Sequence, residues 1–246
     1  MKLDTLNDHE RDGYYVGANG ECFHPSLDWR DIPPVLPNNG KSAWRSAIMV
    51  NGIMTDVALQ ASDLQRLANT GCKVVGVHNA TKGMALDLAQ CAGDKLGLQM
   101  ANNGATETMT KVIRTGFSGD EERAALGGHR QGAQDAGNVQ SGGGRDASLK
   151  KLDVLTMGGA SWSFPEGPRY RHFVNVFDAV PMGAGVGALS YFSSGEVSRF
   201  GEVNKPTNLP SLEEDVSNYL ARVVDRTVHG PQDVYIPNLP PLEKKP

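Results

Sequence analysis

Ala47-Ile48-Met49-Val50-Asn51-Gly52, then Val57, Ala61, Leu64 and Ala68, then Lys73-Val74-Val75-Gly76-Val77: from this stretch the architecture of the 246-residue chain is read. The first apolar run has the length of one strand and stops at an Asn-Gly turn signal. The four residues behind it recur at helical spacing and give one inward stripe. Gly71 stands where a helix C-cap belongs, and the β-branched run after it predicts a second strand. A second helix is expected from about Lys82-Gly83, with Met84, Leu88, Cys91 and Lys95-Leu96 along one side. Strand, helix, strand, helix is the order of a mostly parallel sheet flanked by helices, so the fold class is α/β.

Upstream, Tyr14-Tyr15-Val16 and Glu21-Cys22-Phe23 flank Gly17-Ala18-Asn19-Gly20, which predicts an N-terminal β-hairpin. Residues 25–41 hold Pro33, Pro34, Pro37 and Asn38-Asn39-Gly40, too many breakers for a regular element. Downstream, residues 108–115 read as a helix with Met109, Val112 and Ile113 inward. Arg123-Ala124-Ala125-Leu126 makes a poor strand, having little β-branched bulk, and residues 133–140 are polar for a buried helix. Ser141-Gly142-Gly143-Gly144 is a flexible break. Strands are predicted at Leu152-Asp153-Val154-Leu155-Thr156-Met157 and His172-Phe173-Val174-Asn175-Val176-Phe177, and a helix from Ser211 carrying Leu212, Val216, Tyr219, Leu220 and Val223. The organisation expected is one domain over residues 1–230 and a Pro-rich extended tail over 231–246, laid on the surface or disordered.

Formal charge is -4, from 24 Lys+Arg against 28 Asp+Glu. That balance supplies no basic surface for a phosphate backbone, so nucleic acid is not an expected partner. No window approaches the apolar length of a membrane span, and the N-terminus lacks an apolar signal region. The expectation is a cytoplasmic protein, or one exported without a cleaved signal peptide, as a bacterial effector delivered by a dedicated secretion machine would be. Cys22, Cys72 and Cys91 are widely spaced and read as reduced structural thiols.

Gly128-His129-Arg130-Gln131-Gly132 has the glycine frame of a Gly-x-Ser-x-Gly nucleophile elbow with a guanidinium where the hydroxyl should be. A side chain that stays protonated at any workable pH cannot attack a carbonyl. Three further motifs end predicted strands or follow them closely: Val50-Asn51-Gly52-Ile53, Asn79-Ala80-Thr81-Lys82-Gly83, and Asn175-Val176-Phe177-Asp178-Ala179-Val180-Pro181.

In this order the four motifs, covering the chain from about residue 47 to residue 220, resemble the α/β-hydrolase fold. The likeness is to a bacterial serine esterase and lipase-like branch whose elbow reads Gly-His-Ser-Gln-Gly. The resemblance implies an acid at Asp178 and an oxyanion loop at Gly52-Ile53-Met54, with Gln131 giving the second backbone N–H. It implies a nucleophile at position 130 and, with Tyr219-Leu220 as anchor, a histidine near position 214, where this chain has Arg130 and Glu214. His229 is the only histidine beyond Asp178 and lies past the last predicted helix.

Each of these residues has a plainer reading. Arg130 is either an anion receptor above a helix N-terminus or a plug salt-bridged to Asp178 or Glu214, and the plug is the better of the two because an unpaired buried charge is costly. Ser211-Leu212-Glu213-Glu214 is a capping box as much as a replaced histidine. Asp178 without a histidine to orient serves as a turn residue, and His129 bonds backbone beside the elbow. His78 closes a strand, but no His, Cys or carboxylate stands at metal-ligand spacing from it, so no metal is expected. Gly183-Ala184-Gly185-Val186-Gly187 lacks the strand-turn-helix context of a dinucleotide loop, and no cofactor is implied.

The function expected is thus a catalytically inactive α/β-hydrolase-like protein that binds a small anionic ligand or a protein partner. The alternatives are an active carboxylic ester hydrolase with a displaced nucleophile, Ser161 or Ser163, and a chain in which arginine has replaced a natural elbow serine.

Overall fold

The computed structural model describes residues 6–52, 55–80, 104–116, 125–129, 152–158, 167–175, 195–200 and 235–238. Its elements are β1 (Tyr15–Val16), β2 (Cys22–Phe23), β3 (Arg45–Val50), α1 (Val57–Ala68), β4 (Cys72–Val77), α2 (Gly104–Gly116), β5 (Ala125–His129), β6 (Asp153–Met157), β7 (Arg169–Asn175) and β8 (Glu196–Phe200). The strands form one eight-stranded sheet in the order β2-β1-β4-β3-β5-β6-β7-β8. From β4 to β8 every pairing is parallel, while the β1–β2 hairpin lies antiparallel on the β4 edge. This is an α/β fold with a mostly parallel sheet, and the expected hairpin lies at its N-terminus.

The alternation of β3 places a helix on each face. Ile48 and Val50 enter one cluster with Ala105, Met109, Val112 and Ile113 of α2. Ala47 and Met49 enter the other with Val57, Leu64, Leu67 and Ala68 of α1, together with Met157 and Phe173. Burying each large side chain contributes about 1.5–3 kcal/mol. α1 starts where Asp56 accepts the Leu59 N–H at 2.8 Å, an N-cap bond, and ends before Gly71, whose φ of 110° carries the chain into β4. The hairpin turns through Asn19 and Gly20, both at positive φ, 59° and 73°. Gly76 lets α1 approach the sheet, because a Cβ there would stand 2.9 Å from both Gln60 Nε2 and Leu64 Cδ1.

Four expectations change. The weak run before the elbow is a strand after all: β5 lies between β3 and β6, and parallel partners on both sides supply the stability its glycines do not. β7 begins at Arg169, three residues ahead of the predicted run, while Val176 and Phe177 of that run lie outside the described residues. β8, whose Glu196-Val197-Ser198-Arg199-Phe200 has few apolar residues to betray it, was not predicted. The segment after Gly230 is not wholly superficial, since Tyr235 and Ile236 are buried in the α1-side cluster. The predicted helices from Lys82 and Ser211 lie outside the described residues.

Candidate functional site

In open α/β sheets a ligand crevice forms beyond the C-terminal ends of the strands, where successive connections leave on opposite sides. Here the reversal falls at β3: β4 is laid on one side of it, and β5 to β8 follow on the other. β3 and β5 pair in parallel as far as Val50 opposite Gly128. The strand ends bordering the crevice are therefore those at Val50 and His129. In sequence Asn51-Gly52-Ile53-Met54 follows the first and Arg130-Gln131-Gly132 the second, and of these Asn51 and Gly52 lie within the described residues.

The first segment is braced by Asn51, a fully buried amide. Asn51 Nδ2 donates to the carbonyls of Asn79 at 2.9 Å, Gly52 at 3.0 Å and Thr55 at 3.2 Å. Its Oδ1 accepts the Asn79 N–H at 2.7 Å. One side chain thus ties the loop after β3 to the loop after β4. The brace fixes the carbonyls of Gly52 and Thr55, on either side of Ile53-Met54, against Asn51.

The chain leaving β4 is held as firmly from the N-terminal side. Asp12 accepts the Ala80 N–H at 3.0 Å with one oxygen and the Gly104 N–H, the first of α2, at 2.7 Å with the other. A carboxylate at a helix N-terminus meets both the orphan donors and the positive end of the dipole. His78 is buried, with Nδ1 2.8 Å from Gln60 Oε1 and Nε2 3.0 Å from Asp8 Oδ1. Both ring nitrogens are engaged, so His78 faces α1 and the N-terminal segment and not the crevice.

At the same end of the sheet the buried Asn175 closes β7 and donates its N–H to Tyr235 Oη at 3.4 Å. Asp178 follows three residues later in sequence. Of the site residues read from the sequence, Gly52 lies buried in the braced loop and His129 ends β5. Ile53, Met54, Arg130, Gln131, Asp178 and Glu214 lie outside the described residues, as do Ser161, Ser163 and His229. Cys22 and Cys72 are free thiols, and burial pushes both above the ordinary cysteine value. Among the described residues no three His, Cys, Asp or Glu side chains are grouped to hold a metal, and no helix is long and apolar enough to cross a membrane.

Sequence reading passed over Asn51, Gln60, Asp12 and Tyr235 as individuals. Two carried a usable signal. Gln60 interrupts the inward stripe of α1 between Val57 and Leu64, and Asn51 ends an apolar run at a strand terminus; a polar group at an inward position must have a partner.

No family model matches the chain, and no curated protein matches it in sequence. Solved structures similar to part of the chain are found. A dienelactone hydrolase-like promiscuous phosphotriesterase from metagenomic libraries is 12% identical over 68% of this chain and 74% of its own, with a TM-score of 0.44. A dienelactone hydrolase from Anabaena variabilis is 14% identical over 68% and 78%, TM-score 0.38. A carboxylesterase from Mesorhizobium loti is 13% identical over 66% and 83%, TM-score 0.37.

Proposed function

We propose that this chain, whose fold is α/β-hydrolase-like, acts by binding rather than by serine hydrolysis, and that it holds a small anionic ligand or an acidic group of a protein partner in the crevice between the ends of β3 and β5. The observation that carries the reading is the end of β5 at His129, beside the reversal of strand order, together with an arginine as the next residue in the sequence. A guanidinium at such a crevice is a ready partner for a carboxylate or phosphate, and it cannot serve as a nucleophile. The Asn51 brace supports the same reading, because it holds Gly52 and Thr55, the described residues on either side of Ile53-Met54, at the end of β3.

The test is direct. The protein should leave short-chain nitrophenyl esters unhydrolysed and take no label from a fluorophosphonate, while inorganic phosphate or citrate raises its melting temperature and fails to do so for Arg130→Gln. A second reading, an ester hydrolase whose nucleophile is Ser161 or Ser163, is favoured by the same brace, since a fixed loop suits an oxyanion hole equally well. Fluorophosphonate labelling that maps to either serine would establish it and overturn the first.

A further inference from the structure

Three guanidiniums and two carboxylates gather at the end of the sheet away from the crevice. Arg45 begins β3, Asp153 begins β6 and Glu196 begins β8, while Arg169 and Arg171 stand at the start of β7. Asp153 is in register with Arg169, and Arg171 with Glu196. Residues in register on parallel neighbours, and residues two apart on one strand, share a face. Asp153, Arg169, Arg171 and Glu196 therefore lie on one side of the sheet, the side of Leu155, Met157 and Phe173, and Asp153 holds Arg45 there as well.

The charges in this group are unevenly matched. Arg45 Nη2 donates to Asp153 Oδ2, so that carboxylate already serves one cation. Arg171 has no such partner: its Nε is buried without a hydrogen-bond acceptor, and among the described residues it closes no ion pair with Asp153 or Glu196. The two carboxylates attract it from a distance, while Arg45 and Arg169 repel it. Arg169 is exposed at the mouth of the group, and so is Glu196.

We infer that Arg171 and Arg169 form a receptor for a phosphate-class oxyanion at the end of the sheet opposite the crevice, with Arg45 adding to the positive field. The choice of anion follows from the donors. A guanidinium fork meets two oxygens, so a carboxylate is used up by one fork and leaves the second cation unmet, whereas a tetrahedral phosphate has oxygens for both. Two arginines two apart on a strand have Cα atoms about 6.6 Å apart, a span that their long side chains can close onto one ion. Glu196 is the group that works against an anion here, and its exposure lets water and salt screen it. A bound phosphate would also offset the burial that lowers the proton affinity of Arg171.

The test is an NMR titration of the full chain carrying Arg130→Gln, which removes the crevice arginine, with inorganic phosphate set against sodium chloride at equal ionic strength. The Arg171 Nε–H resonance and the backbone amides of Arg169, Arg171 and Val197 should move and saturate with phosphate and not with chloride. Arg169→Gln, at an exposed position, should keep the fold and weaken the affinity about tenfold or more, the scale of one lost hydrogen bond between charged groups. Arg171→Gln should abolish the saturable shifts. Phenyl phosphate separates the two sources of such a group: binding as tight as that of inorganic phosphate marks a phosphorylated molecule, weaker binding marks the free ion, and either accords with the inference. Phosphate shifts that do not saturate, that chloride reproduces, that survive in Arg171→Gln, or that keep their full affinity in Arg169→Gln overturn it.

Discussion

Asn51 and Asn79 hold each other across the ends of two neighbouring strands: the Asn79 N–H donates to Asn51 Oδ1 at 2.7 Å while Asn51 Nδ2 donates back to the Asn79 carbonyl at 2.9 Å. The exchange imitates one more rung of the parallel β3–β4 ladder, built from a side chain after the strands have parted. Asn51→Ala leaves buried carbonyls and an N–H without partners, and should lower stability in urea by about 2–4 kcal/mol. Asn51→Asp keeps the acceptor but turns a carboxylate toward three carbonyls. It should be the worse of the two at neutral pH and should recover on acidification, when the new carboxyl can donate.

Gly13 and Gly104 meet backbone to backbone. Gly13 has a φ of 80°, and a Cβ on it would lie 2.5 Å from the Gly104 carbonyl carbon and oxygen. Gly13→Ala therefore combines a disfavoured backbone region with a contact that only movement of α2 can relieve. A loss of about 2 kcal/mol or more is expected in thermal unfolding. Gly40→Ala, at a similar φ of 78° but with nothing near its Cβ, isolates the backbone part and should cost about 1 kcal/mol.

These two sites mark where sequence reading succeeded and where it stopped. Local patterns were enough for β3, α1, β4 and the buried Met109, Val112 and Ile113 of α2, because each is settled by periodicity within a dozen residues. β5 was underrated because its standing in the sheet comes from β3 and β6, which are distant in sequence. Tyr235 was misjudged for the same reason: prolines nearby forecast an extended path but say nothing of whether that path crosses the core. At the crevice the motif Asn51-Gly52 was visible, whereas the brace it forms depends on Asn79, and the partnership of Asp8 with His78 spans the hairpin, β3 and α1. Long-range polar pairing leaves no periodic trace.

Lys111 gathers a loop. Its Nζ on α2 donates to three successive carbonyls, Pro25 at 2.7 Å, Ser26 at 3.0 Å and Leu27 at 2.8 Å, and Arg30 from the same loop donates to the Thr115 carbonyl near the end of α2 at 2.8 Å. Three converging acceptors suit the compact ammonium and not the planar guanidinium. Lys111→Met should lower stability by about 1–3 kcal/mol and speed exchange of the Leu27 amide, which bonds the His24 carbonyl. Lys111→Arg should restore only part of both, and full rescue would show that charge alone, not its shape, holds the loop.

Arg45 and Asp153 join the opposite end of the sheet, Arg45 Nη2 reaching Asp153 Oδ2 across the intervening β5 with side chains only 10% and 6% exposed. A pair this deep gains Coulomb energy at the expense of two hydration shells, so its net worth is small while the cost of removing one partner is large. Arg45→Met should destabilise by about 3–5 kcal/mol in urea unfolding. Adding Asp153→Leu should recover part of that and not all. Arg171, on the same face of β7, feels Asp153 as the attraction that offsets its own burial, and burial already lowers its proton affinity. In the double variant that guanidinium keeps its desolvation and loses the stronger of the two anions acting on it, Glu196 remaining. The shortfall should close when Arg171→Met is added as a third change; if the double variant alone returns to wild-type stability, Arg171 has no share in the network and the three residues are a simple pair with a bystander.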